Sequence, residues 1–133
     1  MDNNGTYVDY LKQDKKNNCS RIVDKSDPES KRAELEYKVL DCIQTEEKDP
    51  QYLSLVEIKL LTGRHHQIRV QFSGHGTPLY GDGKYGNNEK AVRKSLALCA
   101  CHLRFKHPAT GRIIDFQIKP DTGAFKLFSK NTS

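Results

Sequence analysis

Two stretches in the middle of the chain alternate strictly between apolar and polar side chains. Residues 34–43 alternate between charged side chains and apolar ones such as Leu35, and residues 52–61 repeat the pattern. A period of two is typical of a strand with one buried face. The two stretches are therefore predicted to form an antiparallel pair of strands, joined by a polar loop at 46–50.

The period changes after Thr62. Ile68 and Phe72 stand four residues apart, as on one face of a helix, and this spacing predicts a helix over 64–73 with Thr62 as its N-cap. A glycine-rich loop containing Pro78 follows, and the proline prevents the helix from continuing.

The two ends of the chain carry weaker patterns. Residues 1–30 are rich in Asn, Lys, Asp and Ser, contain a short predicted strand at 20–23, and are expected to have almost no core of their own. The remaining predicted elements are a short helix at 89–94 and strands at 95–105 and 112–118 around a turn at 108–111. Together these elements predict an α+β fold, a mixed and mostly antiparallel sheet with one inserted helix.

The length and charge of the chain narrow its class. Its 133 residues suit one domain rather than two. A net charge of +5, from 22 Lys and Arg against 17 Asp and Glu, favours a polyanionic partner such as nucleic acid. No window approaches the roughly 18 uncharged apolar residues of a membrane span, and the polar first residues do not resemble a signal peptide. We therefore expect a cytoplasmic protein without membrane contact, with an organelle as the open alternative.

The four cysteines are expected to be reduced thiols, because they are few and irregularly spaced. Cys99 and Cys101 stand just before His102, but this spacing fits neither a zinc site nor a haem attachment site. A strand with both thiols on its apolar face explains the same residues. No metal is expected.

Candidate chemistry concentrates at the predicted start of the helix. Arg64, His65, His66 and Arg69 follow one another closely, with little acidic compensation nearby. A helix start flanked by guanidinium groups can bind a phosphate or a carboxylate. A solvated basic helix face explains the same residues, and composition alone does not decide between the two.

Two motifs resemble those of a known family. Residues 62–70 read TGRHHQIRV and residues 76–86 read GTPLYGDGKYG. They are similar to the T-G-R-T-H-Q-I-R-V-H and G-x-P-I-x-G-D-x-x-Y-G signature of the RluA-type (RluA/RluD-like) RNA pseudouridine synthases. Shorter matches stand in the right order: S-L-V-E at 54–57, L-C-A at 98–100 and F-K-H-P at 105–108. The resemblance covers 31–120, between a polar N-terminal segment and a tail at 121–133.

The resemblance implies isomerisation of uridine to pseudouridine in RNA, such as rRNA or tRNA, without a metal or an organic cofactor. By its position in the motif, Arg69 would pair with the catalytic aspartate and keep that carboxylate ionised. The motif also implies substrate binding by Arg64, His66, Gln67 and Ile68. Capping and packing of the helix start are the alternative for the first three, and a core position is favoured for Ile68.

The chain departs from the family at three motif positions. His65 replaces the usual Thr, Gln71 the usual His, and Cys99 the His of L-H-A. Asp82, in the glycine-rich loop, is interpreted as a stabiliser of its turn rather than as a nucleophile. Basic residues after it would either extend a phosphate-contacting surface or form a solvated face: Lys84, Lys90, Arg93 and Lys94.

The family's catalytic segments are absent from this sequence. Neither H-R-L-D-x-x-T-S-G, with the catalytic aspartate, nor the Y-x-A segment, with the active-site tyrosine, occurs. Asp24 follows an Arg-Ile-Val run but lacks the Thr-Ser-Gly continuation and lies too close to Gly63, so it is rejected as the nucleophile. We therefore expect the C-terminal part of a catalytic domain, inactive alone, in which Arg69 has lost its carboxylate partner.

Three functions remain open from the sequence. The chain is part of an RNA pseudouridine synthase, a non-catalytic RNA-binding remnant of that fold, or a structural or regulatory protein that has lost RNA binding. The first predicts that it associates with the missing N-terminal half or with itself, because a sheet cut open leaves an exposed edge and an uncovered apolar face.

Overall fold

The computed structural model describes residues 3–44, 52–86, 96–120 and 123–128. The chain divides into two compact units, Met1–Leu96 and Ala97–Ser133. In chain order the described elements are β1 (Asn4–Asp14), β2 (Cys19–Ile22), β3 (Lys31–Gln44), β4 (Tyr52–Leu60), α1 (Gln67–Gly74), β5 (His102–Lys106), β6 (Ile113–Gln117) and a short 3-10 helix, Gly123–Phe128.

The first unit is built on a four-stranded sheet in the order β2-β1-β3-β4, and each neighbouring pair is antiparallel. The predicted β3–β4 pair is confirmed, with Leu35 opposite Leu60 and Tyr37 opposite Ile58. β3 begins before residue 34, because Lys31 and the residues after it pair with β1.

The expectation of an N-terminal segment with almost no core is wrong. β1 lies inside the sheet, and its Leu11 is 4% exposed and packs with Ala33 and Val70. The sequence of β1 does not show a regular alternation of apolar and polar residues, because Asp9 occupies a position on its inner face. Its carboxylate accepts a hydrogen bond from the amide of Gln71, which is completely buried. The short strand predicted at 20–23 is confirmed as β2, one residue earlier.

The main core lies between the sheet and α1. Leu35, Tyr37 and Phe72 form a buried cluster, and Ile68 packs against it. Full burial of a side chain such as Leu35 contributes about 1.5–3 kcal/mol. This layer holds α1, and with it the candidate site, at a fixed place on the sheet.

The second unit contains the antiparallel hairpin of β5 and β6. The turn at 108–111 is confirmed by hydrogen bonds that close it, from the Gly111 N–H to the His107 carbonyl and from the His107 N–H to the Arg112 carbonyl. The strand predicted at 95–105 is shorter than expected and begins at His102, because its partner strand ends at Gln117.

Among the described residues the fold is mostly antiparallel sheet with one α-helix, as the alternation predicts at that coarse level. The predicted loop at 46–50 and helix at 89–94 lie outside those residues, as do Lys90, Arg93 and Lys94. Cys19, Cys42, Cys99 and Cys101 are all free. Within the described ranges, no helix is long and apolar enough to span a membrane, and no cluster of His, Cys, Asp and Glu could hold a metal ion.

Candidate functional site

The loop that enters α1 is fastened to β3 by Thr62 and Gln67. The helix begins at Gln67 rather than at 64, and its N-cap is His66, whose φ of 53° lies in the left-handed region. The prediction of Thr62 as N-cap is wrong. Its Oγ1 accepts the backbone N–H of Glu34 at 2.9 Å and donates to Gln67 Oε1 at 2.8 Å. A side-chain bridge to the sheet thus replaces the first helical turn.

Both ends of the Gln67 side-chain amide form hydrogen bonds, one within this loop and one to β3. Its Oε1 also accepts the Arg64 N–H at 2.9 Å, and its Nε2 donates to the Glu34 carbonyl at 3.1 Å. The residue is 3% exposed. Gln67 therefore holds the loop that carries the neighbouring basic side chains. Ile68 is half-buried and packs against the core cluster, which agrees with the packing position favoured from the sequence.

Arg64 lies at the surface beside β3. Its Nε donates to the carbonyl of Arg32 at 2.9 Å, and no carboxylate lies within 4.0 Å of its guanidinium among the described residues. The hydrogen bond directs the side chain, and no described carboxylate forms an ion pair with it.

Arg69 has a carboxylate partner in this chain and is therefore not unpaired, whereas its pairing with a catalytic aspartate stays a prediction. Its Nε donates to Asp82 Oδ2 at 3.1 Å and its Nη2 to Asp82 Oδ1 at 2.9 Å. The guanidinium also lies 5.0 Å from the centre of the Tyr85 ring. A two-pronged pair of this kind fixes the plane of the guanidinium as well as its position. Arg69 Nη1 makes no hydrogen bond with any described residue.

Asp82 is held as an anion inside the glycine-rich loop. Its Oδ1 also accepts the backbone N–H groups of Lys84 and Tyr85, at 3.2 and 3.1 Å, which confirms its interpretation as a turn stabiliser. Burial alone would raise the pKa of Asp82, but Arg69 and these N–H groups together keep that pKa below its usual value. The same pairing raises the pKa of Arg69. At 1% exposure and with these bonds, Asp82 is not available as a nucleophile.

Gly86 lets the loop close around Asp82. Its N–H donates to the Asp82 carbonyl at 3.0 Å. A Cβ at Gly86 would collide with that carbonyl oxygen, so any other residue would push the loop away from Arg69.

His66 and Tyr85 meet beside Arg69. His66 Nδ1 lies 2.7 Å from the Tyr85 hydroxyl, which also accepts the Ser20 N–H at 3.0 Å. Burial, followed by the positive charges of His65 and Arg69, lowers the pKa of His66. His66 therefore stays neutral at a pH where an exposed histidine would begin to ionise, and a neutral Nδ1 can accept the hydroxyl proton.

His65 connects the site to the turn between β1 and β2. Its ring stacks on His66 with centroids 3.8 Å apart, and its nitrogens lie 2.8 Å from Ser20 Oγ and 3.1 Å from Asn18 Oδ1. From the sequence, His65 is one of the basic residues at the predicted helix start and a departure from the family motif, and neither observation indicates these contacts. No local pattern could predict a contact across 47 residues.

The arrangement is suited to binding anions. The structure brings Arg64, His66, Gln67 and Arg69 into one loop and helix start, and adds Asp82 as an internal counter-charge. None of the described residues here is an exposed, activated carboxylate. The site can orient and stabilise a negative group, but it does not itself supply an attacking one.

Comparison with known proteins agrees with the motifs. Residues 1–74 match the family model of RNA pseudouridylate synthases. The chain is 36% identical over 107 residues to ribosomal large subunit pseudouridine synthase D of Zymomonas mobilis, covering 74% of this chain and 32% of that protein. It is 37% identical over 113 residues to the uncharacterized RNA pseudouridine synthase YlyB of Bacillus subtilis, covering 85% of this chain and 34% of that protein.

A solved structure shares the fold. Human RNA pseudouridylate synthase domain containing 1 superposes with a TM-score of 0.72 at 22% identity, covering 91% of this chain and 50% of the human chain. The chain spans about a third of the length of the two bacterial relatives. The RluA-type resemblance is confirmed by these matches, which include the dual-specificity RNA pseudouridine synthase RluA of Yersinia pestis at 34% identity. The chain therefore belongs to the RNA pseudouridylate synthase family, of which it contains part of the synthase domain.

Proposed function

We propose that this chain forms the arginine-bearing side of the active site of an RNA pseudouridine synthase, and that the attacking aspartate comes from a segment outside this sequence. The observation that carries the proposal is the Arg69–Asp82 pair. It presents a guanidinium of fixed orientation whose Nη1 edge is unused by the described residues.

Arg69 can serve a second carboxylate through that edge. A cation within about 4–6 Å lowers the pKa of a carboxyl group by about 1–3 units and so keeps it ionised. Asp82 offsets part of this positive charge. The backbone N–H groups that donate to Asp82 Oδ1 in turn offset part of the negative charge of Asp82. Arg69 can therefore still stabilise a second carboxylate. The role proposed for Arg69 is to aim and ionise the attacking group.

RNA is the substrate that fits the charge of this region. Arg64 and Lys84 are exposed in the two motifs that build the site, and cations of this kind bind phosphates irrespective of sequence. A uridine must leave its stack before its base can react, so backbone contacts beside the pocket would hold the flipped nucleotide. The Zymomonas relative is named for the large ribosomal subunit, which supports rRNA as the substrate class.

A second candidate is an RNA-binding module without catalysis. The observation that favours it is that Asp82 already balances the charge of Arg69, so the site is stable without another carboxylate. Both functions predict that the chain alone binds RNA and forms no pseudouridine. They differ in whether Arg69 can support chemistry when the attacking aspartate is supplied.

A grafted synthase separates the two. In the Zymomonas relative, the 107-residue matched segment would be replaced by the corresponding residues of this chain, and pseudouridine would be mapped in ribosomal RNA. We expect conversion by the grafted synthase and none by this chain alone. Conversion by the chain alone would refute an external aspartate. A folded graft that binds RNA without converting it would favour the binding module.

A further inference from the structure

The turn between β1 and β2 is a rigid projection beside the site. Asp14 Oδ1 accepts the N–H groups of Lys16 and Asn17, at 3.1 and 3.3 Å, and its Oδ2 accepts the side-chain amide of Asn17 at 2.7 Å. Asn18 completes the turn with a φ of 49°. These hydrogen bonds, first among them that of the Asn17 side chain, lower the pKa of Asp14. The only carboxylate of the turn is thus occupied by the turn itself.

The turn is docked on the loop that carries the candidate site. His65 bonds to Asn18 Oδ1 and Ser20 Oγ, Lys84 Nζ donates to the Asn18 carbonyl, and the Tyr85 hydroxyl accepts the Ser20 N–H. His65 and Tyr85 both contact His66, which lies one helical turn from Arg69. The turn is therefore fixed relative to Arg69.

The docked turn and the loop beside it carry three exposed lysines. Lys15, Lys16 and Lys84 are exposed, and within the described ranges no carboxylate oxygen lies within 4.0 Å of their ammonium nitrogens. Lys84 donates one of its three ammonium N–H groups to the Asn18 carbonyl, and the other two can bind an external group. We name Lys15, Lys16, His65 and Lys84 the turn surface.

We propose that the turn surface is a second RNA contact, which binds backbone phosphates of the strand that leads to or from the nucleotide at Arg69. The proposal rests on the proposed function, because it takes the RNA at Arg69 as given. Ammonium groups bind phosphates as point charges and release counterions from the strand. Holding the turn in place before binding removes part of the entropic cost of the contact.

The composition of the turn surface favours RNA over a protein partner. Protein interfaces bury an apolar and aromatic centre from which Lys is depleted. The turn surface offers ammonium and imidazole groups, and is continuous with Arg69 through His65 and His66. These chemical groups fit a phosphate backbone and do not select a base.

The test compares two double variants of the full chain that lose the same charge. Lys15→Gln/Lys16→Gln removes the lysines of the turn. Lys38→Gln/Lys59→Gln removes two exposed lysines from β3 and β4, on the sheet face opposite α1. Binding of a short fluorescent single-stranded RNA of mixed sequence would be measured by anisotropy over a series of salt concentrations.

We expect the turn variant to bind RNA more weakly and with a flatter salt dependence than the control. Each phosphate contact on a single strand contributes about 0.7 to the slope of log affinity against log salt, so loss of two contacts should reduce the slope by about 1.4. Equal slopes and affinities for the two variants would overturn the inference while leaving RNA binding intact. Failure of the unmodified chain to bind RNA would count against both candidate functions instead, and the turn surface would fall with them.

A second variant tests the docking. His65→Ala removes the bonds to Asn18 and Ser20, so the lysines of the turn should lose their fixed position. In this background we expect Lys15→Gln/Lys16→Gln to change the affinity and the salt slope less than in the unmodified chain. Full and independent effects of the two changes would show that the lysines act without docking, which contradicts the preorganised contact.

Discussion

The two units of the chain differ in how they cover their apolar side chains. In the first unit, Leu35 and Phe72 are 0% and 4% exposed, because α1 lies across the sheet. In the second unit, Leu103 and Phe116 face each other across β5 and β6 and are 58% and 60% exposed. A hairpin of two strands has no second layer of its own and is at best marginally stable in water.

This difference bears on where a precise site can be built. A binding group acts well only if packing fixes its position within a fraction of an ångström. Arg69 has that support, since Val70 next to it is buried against Leu11 and Ala33. Most apolar residues of the hairpin instead lie on one face, among them Leu103 and Phe116, and such a face can be covered by another apolar surface.

The largest expected contrast is in the free energy of unfolding. Leu35→Ala leaves a cavity under α1 and should cost about 2–5 kcal/mol. Leu103→Ala removes an exposed side chain and should cost no more than about 0.5 kcal/mol. Urea unfolding followed by circular dichroism measures both. Similar losses for the two variants would mean that the hairpin is as well packed as the sheet.

A smaller contrast concerns the ion pairs of the two units. Asp82→Asn should cost about 1.5–3 kcal/mol, because it breaks charged hydrogen bonds of a buried carboxylate. Asp115→Asn, which breaks an exposed pair with His102, should leave unfolding unchanged within error. Urea midpoints of the two variants give the comparison, and an equal effect would contradict the role of Asp82 in the loop.

The pH dependence of stability follows from the same pair. The pKa of Asp82 is lower in the folded chain than in the unfolded one, so its stabilising contribution is complete above about pH 3.9 and is lost as the pH falls through the lower, folded value. Asp82→Asn should lack this part of the acid transition. An unchanged acid titration of stability in that variant would contradict the assignment.

The smallest expected effect is on association. The uncovered hairpin face should make the isolated chain self-associate, and Leu103→Ser/Phe116→Ser should shift it toward a monomer. Val8→Ser, which changes an exposed residue of the first unit's sheet, serves as the control. Sedimentation velocity measures the oligomeric state of the unmodified chain and of both variants. A monomer at high concentration without any substitution would show that the exposed face is tolerated.

The strands that can be predicted are those in which every position on the buried face of the sheet carries an apolar residue. β3 and β4 alternate cleanly, so their pairing followed from local residues. β1 did not, because Asp9 lies on its inner face and is satisfied by Gln71, 62 residues away. A polar residue on a buried face can be recognised only when its partner is known.

The candidate site shows the same limit. The motif pointed to Arg69, and nothing local connected it with Asp82, 13 residues later across a glycine-rich loop. The helix begins later than the pattern predicts because Thr62 and Gln67 both bond to Glu34 of β3, and the residues between them form a loop fastened to the sheet. Hydrogen bonds between side chains of distant segments depend on the folded arrangement. A motif therefore indicates the site residues but not the residues that they bond to.

The central claim is that Arg69 acts on the chemistry and not only on RNA affinity. In the grafted synthase, single-turnover rates of pseudouridine formation and RNA affinities would be compared for Arg69→Ala and Arg64→Ala. We predict that Arg69→Ala depresses the rate far more than the affinity, whereas Arg64→Ala weakens affinity, flattens its salt dependence and leaves the rate closer to intact. Full turnover with a loss of affinity alone in Arg69→Ala would contradict the claim and make the helix start a clamp for RNA.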